Sequence, residues 1–183
     1  MKKIYVLLMA LMSLSSLSAQ KVGIKTNLLY DLTTTVNLGF ETALSKKMTL
    51  DISANLNPWE FGEKRLRHFL IQPELRYWTC SRFNGSFFGL HGHAAWYNVG
   101  GLPLNDNMRD NRYQGFLYGA GISYGYQWMI GKRWNLEATI GAGFAILEHE
   151  KIPVGDCQAA FPKYKKTYWG ITKIGVSLIY LIN

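Results

Sequence analysis

From Gly115 to Ile130, alternate residues fall into two classes. Phe116, Tyr118, Ala120, Ile122, Tyr124, Tyr126 and Trp128 form an aromatic and apolar set. Gly115, Leu117, Gly119, Gly121, Ser123, Gly125, Gln127 and Met129 form a mostly small or polar one. A period of two kept over sixteen residues predicts a strand far longer than the usual five or six residues. Its apolar face ends in tyrosines and a tryptophan, the side chains suited to a membrane–water interface.

The same alternation recurs along the chain. Val22 to Tyr30 sets Val22, Ile24, Thr26, Leu28 and Tyr30 against Gly23, Lys25, Asn27 and Leu29. Val36 to Leu44 opposes Val36, Leu38, Phe40 and Leu44 to Asn37, Gly39 and Glu41. Met48 to Leu56 alternates without exception. His68 to Trp78 points Phe69, Ile71, Leu75 and Tyr77 outward and Gln72, Glu74 and Arg76 inward. Pro73 interrupts that ladder and calls for a bulge or local relief. Ser86 to Tyr97, Trp134 to Leu147 and Tyr168 to Leu181 complete the set. With the Gly115–Ile130 segment there are eight strands.

Short connections at 45–47, 79–85 and 131–133 alternate with longer ones at 57–67, 98–114 and 148–167; Asp31 to Thr35 is a short exception. These features predict an all-β fold: an eight-stranded, antiparallel, up-and-down transmembrane β-barrel over 20–183. A soluble, lipocalin-like barrel is the rival. It would keep an apolar interior, whereas the interior positions here are polar or glycine.

Met1 to Ala19 has the composition of a signal peptide. Lys2 and Lys3 precede an apolar Ile4 to Met12, and Leu17-Ser18-Ala19 provides the cleavage site. No cysteine stands near that site, which argues against a lipoprotein. Removing the two lysines lowers the formal charge from +8 to +6. In an exported protein so mild a basicity is no argument for nucleic acid. The expected location is the bacterial outer membrane.

An eight-stranded barrel leaves an interior that side chains can fill. Lys25, Arg76 and Lys173 are the inward cations; Glu41, Asp51, Glu74 and Glu137 are the inward anions. Buried charges persist by pairing, so a salt-bridged plug is expected in place of an open pore. Inward glycines would make room for the long side chains. Cys80 falls in a short turn and Cys157 in a long loop at the opposite end. A spanning strand separates those ends by roughly 25 Å, beyond the ~7 Å limit on α-carbons for a disulfide. The two are expected not to pair.

His91-Gly92-His93 puts two histidines on one face, with Glu74 as a candidate third metal ligand; membership of the interior polar network is the plainer reading. No metal or other cofactor is expected. Acyl transfer would need a serine activated by a histidine. Ser86 lies on the outward phase, and Ser123 lies inward at an undetermined height. The long loops carry Lys64, Arg65, Arg67 and His68; Arg109 and Arg112; and Lys163, Lys165 and Lys166. Glu60, Glu63, Asp106, Asp110, Glu148 and Glu150 are interleaved among them. These bases suit lipopolysaccharide phosphates, or an ordinary solvated rim. Trp59, Phe61, Tyr113 and Phe161 are loop aromatics that either contact a partner or pack the loops down.

Lys25-Thr26-Asn27-Leu28-Leu29-Tyr30-Asp31, Gln72-Pro73-Glu74-Leu75-Arg76-Tyr77-Trp78 and the Tyr-Gly strand together resemble one group. It is an uncharacterised family, a domain of unknown function, of small exported outer-membrane barrels from anaerobic diderm bacteria. Some of its members are encoded beside fimbrial or other surface-assembly genes. The resemblance covers nearly all of the mature chain and brings no catalytic residues with it. It implies that Lys25, Asp31, Glu74 and Arg76 belong to a shared interior network. The expected protein is a closed, monomeric barrel with a structural or surface-interaction role, including service to surface or fimbrial assembly. Its partners would be outer-membrane lipid, lipopolysaccharide and a surface protein. A lipid-modifying enzyme and a narrow channel are the alternatives.

Overall fold

The computed structural model describes residues 22–62, 64–101, 111–153 and 162–182. The expected signal peptide at 1–19 lies outside them, as do Glu63, Asp106, Arg109, Asp110, Cys157 and Phe161. Among the described residues the chain is all-β apart from one five-residue helix. Its strands are β1 (Val22–Asn27), β2 (Val36–Ala43), β3 (Met48–Asn57), β4 (Glu60–Phe61), β5 (Lys64–Trp78), β6 (Gly85–Gly100), β7 (Asn111–Met129), β8 (Trp134–Pro153) and β9 (Lys163–Ile182). Each long strand pairs antiparallel with its neighbour in sequence. β9 returns to β1, and β3 pairs with β5 across the two-residue β4. The result is a closed ring of eight antiparallel strands, with β4 an appendage on the end of β5.

The inward and outward phases follow the sequence alternation. In β2, Val36, Leu38 and Phe40 are exposed while Gly39 and Glu41 are buried. In β5, Gln72, Glu74, Arg76 and Trp78 are buried between exposed Phe69, Ile71, Leu75 and Tyr77. Large apolar side chains are therefore outside the ring, and the buried side chains are mostly polar or charged.

Two details depart from the sequence expectation. The first strand stops at Asn27, not Tyr30. Asn27 caps a short helix, α1 (Leu28–Leu32), by accepting a hydrogen bond from the Leu29 amide at 3.1 Å. At Pro73 the relief is a gap in the β5–β6 ladder and not a bulge. The β3 and β6 ladders keep one register on either side of it, and the outward-facing ring sits opposite Gly92. The bulge lies in β9 instead. Gly141 pairs with Lys173 and Ala142 with Ile171, which leaves Thr172 as the extra residue.

The strands also extend further than the alternation showed. β5 begins at Lys64, β8 runs to Pro153 and β9 begins at Lys163. Near those ends charged residues occupy both phases, so the apolar period fades although the backbone ladder continues. The ring is consequently uneven in height: β1, β2 and β3 are short, and β5 to β9 form a tall curved wall.

Candidate functional site

Backbone register sets the charged interior. Glu41 stands opposite Asp51, Asp51 opposite Glu74, and Glu74 opposite His91, so four neighbouring strands carry an acid or a histidine at one level. Like charges side by side on a sheet repel, and cations must lie between them. Arg76 does so from β5. Its Nε donates to Glu74 at 2.6 Å, Nη1 to Glu41 at 2.9 Å and Glu137 at 2.8 Å, and Nη2 to Asp51 at 3.1 Å and Glu137 at 3.0 Å. Lys25 reaches Asp51 at 2.9 Å and Glu41 at 3.3 Å; Lys173 reaches Glu74 at 2.9 Å. All seven inward charges named from the sequence join one network, and Arg76 is its hub.

Hydroxyl groups complete it. Thr49 donates to Glu41 at 2.6 Å, Thr139 to Glu137 at 2.9 Å and Ser123 to Glu74. Glycines create the room. A β-carbon at Gly89 would strike Ser123 and Glu74, and one at Gly39 would strike the stem of Lys25. Beneath the network, toward the short turns, Phe87 lies 4.3 Å from the Arg76 guanidinium and packs on Trp78, whose indole N–H donates to Thr49. Phe83, Ile179, Leu181 and Ala43 close that end. The sequence reading did not assign this aromatic floor, although Trp78 and Phe87 sit on the inward phase.

On the other side the interior changes character. His91 Nε2 is 2.9 Å from the Thr172 hydroxyl, a contact made by the β9 bulge. His93 lies beside His91, with ring centroids 5.7 Å apart. It is only 6% exposed, and its Nδ1 has no hydrogen-bond partner. Above the histidines is a cavity of about 390 Å³ lined by Leu70, Ala95, Tyr97, Val99, Leu117, Ala145, Leu147 and Tyr168, with His68, His93, Ile171 and Thr172. The expectation of a polar interior thus holds for the lower half only. Inward leucine, valine and alanine at the upper ends of β5 to β8 carried the signal.

Two expectations need correction. Asp31 is exposed and stands apart from the network: it accepts from Thr26 at 2.9 Å and Asn37 at 2.7 Å. Lys64, Arg65, Arg67, Arg112, Lys163, Lys165 and Lys166 lie on strand ends, not in loops. Arg65 pairs with Glu60 at 2.7 Å and Lys165 with Glu148 at 3.1 Å. Neither serine meets a histidine, since Ser123 is committed to Glu74 and Ser86 lies 3.1 Å from the Tyr124 hydroxyl on the outer face. Glu74 is likewise committed to Arg76, Lys173 and Ser123. Among the described residues no group of three or more histidine, cysteine or acidic side chains is arranged to hold a metal.

A family model described as Protein of unknown function (DUF3575) matches residues 4–182. The chain belongs to this family. No curated protein and no solved structure matches it. In this DUF3575 chain the charged network occupies the lower half of the ring and the apolar cavity lies above it.

Proposed function

We propose that the protein is a signal-processed, monomeric β-barrel of the bacterial outer membrane with a closed lumen and a structural or surface-interaction role. The supporting observation is the inverted distribution of side chains. Arg76, Glu41, Glu74, Asp51 and Glu137 are at most 2% exposed, while Leu90, Ile122 and Ile174 on the outer face are more than half exposed. In water that arrangement would forfeit the hydrophobic effect; in hydrocarbon it is the stable one. A soluble barrel would invert it.

Aromatic pairs mark both rims. Tyr126–Trp128 and Trp134–Tyr180 sit near the short turns, and Phe144–Trp169 sits higher up. The rise from Trp128 to Tyr118, at about 3.3 Å per residue and a tilt near 40°, is roughly 25 Å, the height of a lipid-facing band. Among the described residues no helix is long and apolar enough to cross a membrane, so the crossing elements in this reading are the strands. Lys64, Arg112, Lys163 and Lys166 at the tall end would face lipopolysaccharide or a surface protein.

The test is reconstitution. The protein should float with liposomes, resist alkaline extraction, and migrate differently on gels before and after boiling. Recovery as a soluble monomer without detergent would sink the reading. Cross-linking from Lys64 and Lys163 in whole cells then seeks the partner.

A lipid-modifying enzyme is the second reading, favoured by the Thr172 hydroxyl on His91 at the base of the apolar cavity. His91 Nδ1 has no orienting acid, however. Lipid A and phospholipid mass spectrometry on a deletion strain decides between the two. An acyl change restored by wild type and not by His91→Ala favours the enzyme; unchanged lipids favour the binding role.

A further inference from the structure

The cavity above the histidines has the size and lining of a ligand site. Its volume of about 390 Å³ falls in the usual range of roughly 300–1,000 Å³ for small-molecule pockets, which are mainly apolar with a few polar groups. Here leucine, valine, alanine and tyrosine form the walls. Along β6 the lining residues run His93, Ala95, Tyr97 and Val99, and along β9 the lowest is Thr172, so His93 and Thr172 form the floor. Thr172 is engaged by His91. His93 is buried, and its Nδ1 lacks a partner, a condition that disfavours the empty state.

The wall beside the cavity lacks a strand ladder on one side, where α1 packs against β9 and Gln72 donates to the Thr172 carbonyl at 3.3 Å. β1 pairs with β9 only from Ser177 to Ile182, and the Asn27 side chain finishes that ladder on Ile174 and Val176. From Lys163 to Lys173 the edge of β9 away from β8 has no ladder partner among the described strands. Ile171, at the bulge, is 58% exposed. It lines both the interior cavity and an apolar groove on the outer face formed with Phe88, Ile122 and Ile140. In the proposed membrane orientation that groove lies against lipid tails.

We propose that the interior cavity binds a single-chain, uncharged amphiphile, with its polar end on His93 and its chain toward the tall rim. The proposal rests on the membrane-barrel reading. The polar end is uncharged for an electrostatic reason. The network below holds four carboxylates against three cations, so a further anion would meet an excess of its own sign. A hydroxyl or carbonyl oxygen finds in the imidazole a group able to donate or accept.

The test uses the full protein in phospholipid nanodiscs, photolabelled with hexadecanol carrying a diazirine at the far end of its chain. Heat-modifiability of the same sample reports the barrel separately, so failure of the membrane reading is distinguishable from failure of the site. Labelling is expected on Tyr97, Val99 and Leu147 near the rim. Leu117→Trp, which narrows the cavity, should weaken it. His93→Phe, which keeps a planar ring and removes the polar partner, should reduce it roughly tenfold. Labelling only on outward residues, or interior labelling that both variants leave unchanged, overturns the proposal. Labelling at His93 and Thr172 would mean tail-first entry and overturns it as well. So would stronger labelling by the corresponding hexadecanoic acid at neutral pH.

Discussion

Arg76 is the residue on which the interior depends. It is fully buried and meets four carboxylates contributed by four strands. Replacing it with leucine leaves those carboxylates to Lys25 and Lys173 alone. Removal of one partner from a buried ion network costs about 3–5 kcal/mol, so Arg76→Leu should unfold in detergent at a markedly lower temperature, read from the boiling-sensitive gel shift. An unchanged midpoint would mean that the charges are solvated and that no network exists. Thr172→Val is the milder probe. It keeps the shape and removes the hydroxyl from His91, and the expected loss is about 1 kcal/mol.

At the level of the element, β9 carries the most information. Apolar positions shift from Trp169 and Ile171 to Ile174, Val176, Leu178 and Tyr180, and the spacing of three between the two isoleucines marks the bulge. A single alternation drawn through the strand missed that shift. The bulge adds one residue without altering the pairing on either side. Deleting Thr172 should therefore leave a regular ladder and a closed ring that still shows the gel shift. It should also free His91 and lose whatever binds above it. A deletion variant unable to fold would show that the bulge holds the ring together as well as placing Thr172. α1 was hidden for a different reason: Leu28 and Tyr30 continue the apolar phase, and only the cap made by Asn27 turns the chain.

For the whole molecule, the closed lower half predicts no current. Trp78, Phe83 and Phe87 fill the short-turn end, and the void within the charged network is only about 30 Å³, room for roughly one water. Planar bilayers containing the protein should show no stable conductance; steady single-channel steps would restore the channel reading. Cys80 is free and exposed at the short-turn end. Two maleimide additions on the intact, unfolded and unreduced protein would fit the expected separation from Cys157, and none would indicate a disulfide.

The sequence by itself determined the eight strands of the ring, most of their inward and outward faces and the seven interior charges. Alternation is a local property, written in consecutive residues wherever one face meets an apolar phase. Tertiary structure decided what sits beside what. The hub role of Arg76 follows from the register of four strands, and Asp31 left the network because the chain turned at Asn27. The upper cavity lies among β5 to β9, which rise above the short β1, β2 and β3. Those facts depend on relative heights around a closed ring, and a period-two pattern carries no information about height.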